Sequence, residues 1–205
     1  MKVAESGFDM TDDITENEPF LPFARWFALA AEREALAETM MLATVGPGGR
    51  PSVRAVLLKG ADARGFVFYT NLESRKAGEL AANPHVALAF HWKSLARQVR
   101  VEGDAAPVTD QEADAYFATR PRESRIGAWA SDQSRPLDSR ATLERRFAEA
   151  ERRYDGREVP RPADWSGFRI VPQLVEFWQE RPHRLHDRIV FTRDGEGWRK
   201  QRLFP

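Results

Sequence analysis

A mainly β fold, an antiparallel barrel with helices around its rim, is what the sequence predicts. Eight or nine short stretches carry the Val, Phe and Trp content of strands, against four or five helical ones. Where strands adjoin, the links have hairpin length, and no regular alternation of strand and helix signals a parallel sheet.

Pro22 through Thr39 carries Phe23, Trp26, Phe27, Ala30 and Leu36 at mixed three- and four-residue spacing, which predicts an amphipathic helix that opens at a proline. Met40–Val45 and Ser52–Lys59 flank the turn Gly46-Pro47-Gly48-Gly49 and form a hairpin, with a third strand at Gly65–Thr70. Ser74–Ala82 is a short helix closed by Asn83-Pro84. Val86–Trp92 and Arg97–Val101 are two further strands. Thr109-Asp110-Gln111-Glu112 has the form of a capping box, and its helix runs to about Thr119, because Pro121 turns Arg120 away from helical geometry. Ser139–Tyr154 is a helix with a charged outer face. After the connector Pro160-Arg161-Pro162, strands near Phe168–Val171, Leu174–Trp178, Arg184–Phe191 and Trp198–Leu203 complete the chain.

The 205 residues fit one domain, residues 20–205, preceded by an acidic, disordered tail at residues 1–19. That tail holds Glu5, Asp9, Asp12, Asp13, Glu16 and Glu18 against Lys2 alone, the reverse of a basic leader, so a cytoplasmic protein is expected. Lys+Arg and Asp+Glu balance at 31 each, and the tail's acidity therefore leaves the body with about five excess positive charges, a field that favours small anions. No basic stripe or finger motif points to nucleic acid, and no run approaches the roughly 18 apolar residues of a membrane span. The chain has no cysteine, which excludes disulfides, thiolate metal sites and thiol nucleophiles. The four histidines lack metal-ligand spacing, so no metal is expected, and hydrolase, P-loop and dinucleotide-binding signatures are absent.

Four clusters could carry chemistry. Arg54 and Lys59 stand five apart on one expected strand, hence on opposite faces and roughly 16 Å apart, which suits two separate anions or a solvated edge strand. Tyr69-Thr70 runs into Ser74-Arg75-Lys76, where a helix N-terminus with two cations suits a phosphate, or simply an outward-facing helix start. Tyr116, Arg120 and Ser124 offer a phenol, a guanidinium and a hydroxyl that could converge on a second phosphate; a Tyr/Arg pair also suits a surface stack. Finally, Arg184, His186 and Arg188 fall on one strand face by period two, three potential cations that call for an electron-rich ligand opposite, although a lone histidine is commonly a surface group.

Together with Arg97-Gln98-Val99, Ile126-Gly127-Ala128-Trp129, Gln133-Ser134 and Glu176-Phe177-Trp178-Gln179, these clusters resemble the pyridoxine/pyridoxamine 5′-phosphate oxidase family over roughly residues 20–205. The resemblance implies an FMN-binding split barrel, a homodimer with FMN at the subunit interface, and a role in vitamin B6 metabolism. By motif, Arg54, Arg75, Lys76, Gln133 and Ser134 would hold the phosphate and ribityl side of FMN, with Val56, Leu57, Tyr69, Thr70, Gln98, Trp178 and Arg188 nearer the rest of the cofactor. Lys59, Tyr116, Arg120 and Ser124 would grip the substrate phosphate. Arg184 and His186 would be the catalytic pair, lying over the pyridine ring. The implied reaction moves a hydride from C4′ of pyridoxamine or pyridoxine 5′-phosphate to flavin N5. Oxygen is then reduced to hydrogen peroxide, and pyridoxal 5′-phosphate forms. A phenazine-biosynthesis-type flavin oxidase and a non-catalytic flavin or pyridoxal-phosphate carrier are the alternatives. Arg125 stands where that family usually has Gln, Glu180-Arg181-Pro182 replaces a commonly Gly-rich turn, and the acidic tail lacks the basic segment that covers the substrate in some members.

Overall fold

In the computed structural model, which describes residues 13–205, nine strands join in one sheet, and every pairing among them is antiparallel. The strands are β1 (Thr39–Val45), β2 (Pro51–Leu57), β3 (Gly60–Asp62), β4 (Gly65–Asn71), β5 (His85–Trp92), β6 (Arg97–Pro107), β7 (Trp165–Gln179), β8 (Asp187–Asp194) and β9 (Gly197–Arg202). Five α-helices lie among the described residues: α1 (Phe20–Ala31), α2 (Arg75–Ala82), α3 (Asp110–Thr119), α4 (Arg122–Ala130) and α5 (Arg140–Arg153). No helix among them is long and apolar enough to cross a membrane.

The main path runs β2-β1-β5-β6-β7-β4-β3, and β7 explains why the barrel is split. Its first half pairs with β4 and its second half with β8, while β6 follows it along the other edge. The sequence suggests two strands here, at Phe168–Val171 and Leu174–Trp178, because Pro172 interrupts the pattern. The chain continues as one strand instead: Glu102 and Gly103 of β6 face Leu174 and Pro172, so Gln173 is the extra residue of a bulge in β7 that absorbs the break. Only glycine fits at 103: a Cβ there would lie 2.2 Å from the Val171 carbonyl oxygen.

Alternating side chains of β1, β5, β6 and β7 bury Met40, Leu42, Leu88, Phe90, Val99, Val101 and Phe177, and α1 closes this core with Phe23 and Trp26. Helix α1 stops at Ala31, eight residues short of the expected end, and Leu36 is exposed rather than on the apolar stripe. The Trp92 indole N–H donates to the Ala37 carbonyl across 2.9 Å, tying this non-helical connection to β5. The capping box at Thr109 and Glu112 forms as expected, and Ser139 caps α5. Helix α4 was not foreseen, because Gly127 and its polar first turn hide the apolar periodicity.

The acidic segment also differs from expectation. Residues 13–19, assigned by sequence to a disordered tail, pack on the body: Ile14 is fully buried, the Trp26 indole donates to the Asp13 carboxylate across 2.7 Å, and Arg97 pairs with the same carboxylate at 3.1 Å. Lys200 donates to the Ile14 carbonyl, and Arg25 pairs with Glu16. Residues 1–12, the rest of the expected tail, lie outside the described residues.

Candidate active site

A cavity of about 700 Å³ opens where β2, β4, α3 and α4 meet. Its lining brings together residues of both expected phosphate groups: Val56, Leu57, Tyr69, Thr70, Lys76 and Gln133 from the cofactor set, and Lys59, Tyr116, Arg120 and Ser124 from the substrate set.

At one end, β4 delivers Thr70 beside the start of α2. The Lys76 ammonium donates to Thr70 Oγ1 at 3.0 Å, Ser74 Oγ at 3.3 Å and Gln133 Oε1 at 2.9 Å, and the Thr70 hydroxyl donates to the same glutamine oxygen at 3.0 Å. Burial pushes the Lys76 ammonium below its ordinary pKa, and the nearby Arg54 charge adds to this. An ammonium in a dry, cation-rich place favours an anion.

At the other end, the rings of Tyr69, Tyr116 and Trp165 stack nearly parallel, with Tyr69 and Tyr116 centroids 4.1 Å apart and Tyr69 and Trp165 5.3 Å apart. Gly167 makes room for Tyr69, since a Cβ there would lie 2.7 Å from the ring. The Arg120 guanidinium sits 4.9 Å over Trp165, and its Nη1 is buried without a hydrogen-bond partner. Burial lowers the Arg120 pKa and raises that of Tyr116. A buried, unpartnered guanidinium nitrogen on a cavity wall is a donor awaiting an acceptor.

Lys59 departs from expectation in position. Strand β2 ends at Leu57, and the chain then switches partners, with the Leu58 amide donating to Glu38 and the Lys59 amide to Val67. Strand parity therefore does not separate Lys59 from Arg54. Lys59 lines the cavity together with Ala55 and Leu57, whereas Arg54 lies outside its lining and meets Glu79 of α2. Arg75 and Ser134 also fall outside the lining, Ser134 with a left-handed φ of 73°.

Gln98, Trp178, Arg184, His186 and Arg188 form a second group, none of which lines the cavity. Gln98 and Trp178 face one another across β6 and β7, and Trp178 pairs with Arg188 of β8. The Arg188 Nε donates to the buried Glu176 at 2.7 Å. The single strand face expected for Arg184, His186 and Arg188 is not formed, because β8 begins only at Asp187. Pro182–Arg184 is a short 3₁₀ turn, in which His183 and Arg184 have φ of 59° and 65°. Proline 182 cannot extend the β7 ladder, and the chain turns sharply there. Arg184 is exposed, while the His186 ring lies 4.7 Å from that of Trp178 and its Nδ1 accepts the Arg181 amide at 3.2 Å.

Sequence reasoning missed Trp165 and Glu79. Trp165 gave no local signal apart from its place at the head of a strand. Glu79 stands four residues after Arg75 on α2, a spacing that could have shown the ion pair now seen.

Two family profiles match the chain: one described as pyridoxamine 5′-phosphate oxidase over residues 29–154, the other as the pyridoxine 5′-phosphate oxidase C-terminal dimerisation region over residues 165–205. A pyridoxine/pyridoxamine 5′-phosphate oxidase of Sphingopyxis alaskensis is 62% identical over 92% of this chain and 88% of its own length. One from Gluconobacter oxydans is 60% identical over 92% and 94%. Among solved structures, PhzG from Burkholderia lata, in complex with tetrahydrophenazine-1-carboxylic acid, is 31% identical with a TM-score of 0.90, covering 97% of this chain and 98% of its own. An FMN-binding protein of Nostoc punctiforme related to pyridoxamine 5′-phosphate oxidase has a TM-score of 0.74 at 16% identity, covering 93% of this chain and all of its own, and supports the fold alone.

Proposed function

The chain belongs to the pyridoxine/pyridoxamine 5′-phosphate oxidase family, and from that premise we propose that it oxidises pyridoxamine and pyridoxine 5′-phosphates to pyridoxal 5′-phosphate with FMN as cofactor and oxygen as final acceptor. The observation that carries this reading is a single cavity lined by two cationic groups, Lys76 bound to Thr70 and Gln133, and Arg120 over Trp165 with an unpartnered Nη1, with Lys59 and Ser124 also in the lining. Two phosphate esters, one of cofactor and one of substrate, match that pair. The alternative phenazine-type substrate has weaker support, since the relative of that kind is 31% identical against 62% for the oxidase.

FMN supplies the redox chemistry when bound, taking two electrons from the substrate and passing them to oxygen. Lys76, Thr70 and Gln133 would hold its phosphate and ribityl chain, with Arg75 and Ser134 beside them. Lys59, Tyr116, Arg120 and Ser124 would anchor the substrate phosphate and so fix the distance of C4′ from the flavin ring. Arg184 and His186 would cover the pyridine ring, orient C4′ and steady the charge that develops as the hydride leaves. The amine route consumes one oxygen and one water and releases ammonia with hydrogen peroxide; the alcohol route needs no water.

None of the second group lines the cavity of its own chain, and in a homodimer a partner copy would bring it there. Residues 165–205, which hold Trp178, Arg184, His186 and Arg188, match a dimerisation region. Val53 and Leu57, exposed on edge strand β2, give that partner an apolar surface to cover. We read residues 20–205 as one domain and the setting as cytoplasmic.

The test is aldehyde formation in air from pyridoxamine 5′-phosphate and from pyridoxine 5′-phosphate, with and without added FMN, beside Arg184→Ala and His186→Ala. Flavin-dependent aldehyde and peroxide that fall in both variants are expected. Bound flavin with no aldehyde from either compound would overturn the oxidase reading in favour of a carrier or a different substrate.

A further inference from the structure

Two charged side chains are buried among the described residues, Glu79 and Glu176, and both are bound to arginines. Glu79 lies on α2, one turn beyond the helix start, with 6% of its surface exposed. One oxygen, Oε2, accepts from Thr44 Oγ1 at 2.5 Å, Ser52 Oγ at 2.7 Å and Arg54 Nη2 at 3.1 Å. The other, Oε1, accepts from Arg75 Nε at 2.8 Å. Thr44 and Ser52 are opposite one another in the β1–β2 register, so the hairpin and the helix meet on this one carboxylate.

The two arginines are left in different states. Arg54 is used up: Nη1 donates to the Leu42 carbonyl at 3.1 Å and to Thr44 at 2.5 Å, and Nη2 to Ser52 at 2.5 Å as well as to Glu79. Arg75 is bound through Nε alone, which leaves both terminal nitrogens, a ready-made fork, for a ligand beside Lys76. Arg54, Arg75 and Lys76 carry three positive charges and Glu79 one negative, a net of two that matches a phosphate monoester dianion.

The structure assigns Glu79 the part of a positioning residue for the flavin phosphate: it fixes Arg75 through Nε, so that the guanidinium fork faces the phosphate, and it neutralises Arg54 beneath. The assignment rests on the cofactor reading above. Burial opposes the ionised carboxylate, but the donors from Thr44, Ser52, Arg75 and Arg54 outweigh it and hold the Glu79 pKa at about 2, so the group is anionic wherever the enzyme works. Replacing it would free the Arg75 side chain and leave the part-buried Arg54 near Lys76 with no counter-charge.

The test compares FMN with riboflavin, which lacks the phosphate, by fluorescence titration of the flavin-stripped full-length protein. Wild type, Glu79→Ala, Glu79→Gln and Arg75→Ala are titrated in parallel. Glu79→Ala and Arg75→Ala should each weaken FMN binding about 10- to 100-fold, the worth of one or two charge-assisted hydrogen bonds, with riboflavin binding unchanged. Glu79→Gln, which keeps the volume and loses the charge, should lose about 10-fold and carries the comparison if the alanine variant does not fold. A folded Glu79 variant with the wild-type preference for FMN would overturn the assignment, as would equal loss of FMN and riboflavin, the mark of a purely structural role. If Arg75→Ala itself kept the wild-type preference, the phosphate assignment beneath the inference would fall, and the inference with it.

Discussion

The cavity face and the β7–β8 turn both carry cations that the family motifs assign to the active site, yet they hold them in opposite ways. On the cavity face and in the helix behind it, most groups are held by neighbours: Glu79, Thr44 and Ser52 hold Arg54, Gln133 and Thr70 hold Lys76, and the stacked rings support Arg120, while Arg75 is tied to Glu79 through Nε. On the turn, Arg188 alone is comparably fixed, by Glu176, while Arg184 is exposed on a residue of left-handed φ. The difference suits the two tasks proposed for these groups. Binding two phosphates calls for a charge pattern set in advance, so that little ordering is left to do when the ligand arrives. The role proposed for the turn, covering the substrate ring, calls for exposed side chains at a sharp change of direction, which the positive φ of His183 and Arg184 provides.

The largest effect that would sharpen this contrast is on turnover. Arg184→Ala should lower kcat by about 100-fold with FMN affinity unchanged, the size seen when a donor to developing charge is removed. Steady-state kinetics beside a flavin titration check it, and equal loss of both quantities would break the division between the two faces.

The cavity face makes a pH prediction that the turn does not. Glu79 has its pKa lowered from 4.5 to about 2, so its contribution to stability is fully present above pH 4.5 and is lost as pH falls through 2. Urea unfolding of wild type and Glu79→Gln at a series of pH values should show a gap that is constant above 4.5 and closes towards pH 2. A gap that stayed constant through that range would contradict the buried, ionised carboxylate.

A smaller effect belongs to the turn. His183→Gly removes the side chain from a residue at φ 59° and should stabilise the fold by about 1 kcal/mol in thermal unfolding. A loss of stability would show that the His183 side chain supports the turn.

Which parts of this were legible in the sequence follows the same line. The strands of the sheet were readable because their apolar content and turn residues are local, and the lining residues Tyr69, Thr70, Lys76, Tyr116, Arg120 and Ser124 stood out by local pattern as candidate phosphate groups, to which the family resemblance added roles. What failed was the inference that needed a strand to run on: Arg184 and His186 lie before β8 begins, so period two did not apply to them, whereas Lys59, although past the end of β2, lies in the lining apart from Arg54. The run of β7 through Pro172 depended on a bulge at Gln173, which shows only against the register of the neighbouring β6. Trp165 and Glu79 act through residues distant in sequence, Trp165 through Tyr69 and Tyr116, and Glu79 through Thr44 and Ser52 as well as the nearby Arg75.

The central claim is that a working site joins the cavity of one subunit to the turn of its partner, and subunit mixing tests it most directly. Arg120→Ala damages the cavity and Arg184→Ala the turn, so each homodimer alone should be nearly inactive. Co-expressed in equal amounts, half the dimers would be mixed and each would hold one intact site, which predicts recovery of about a quarter of wild-type activity. Activity that stayed at the level of the separate variants would show that both residues serve the same site from one chain, and would contradict the account.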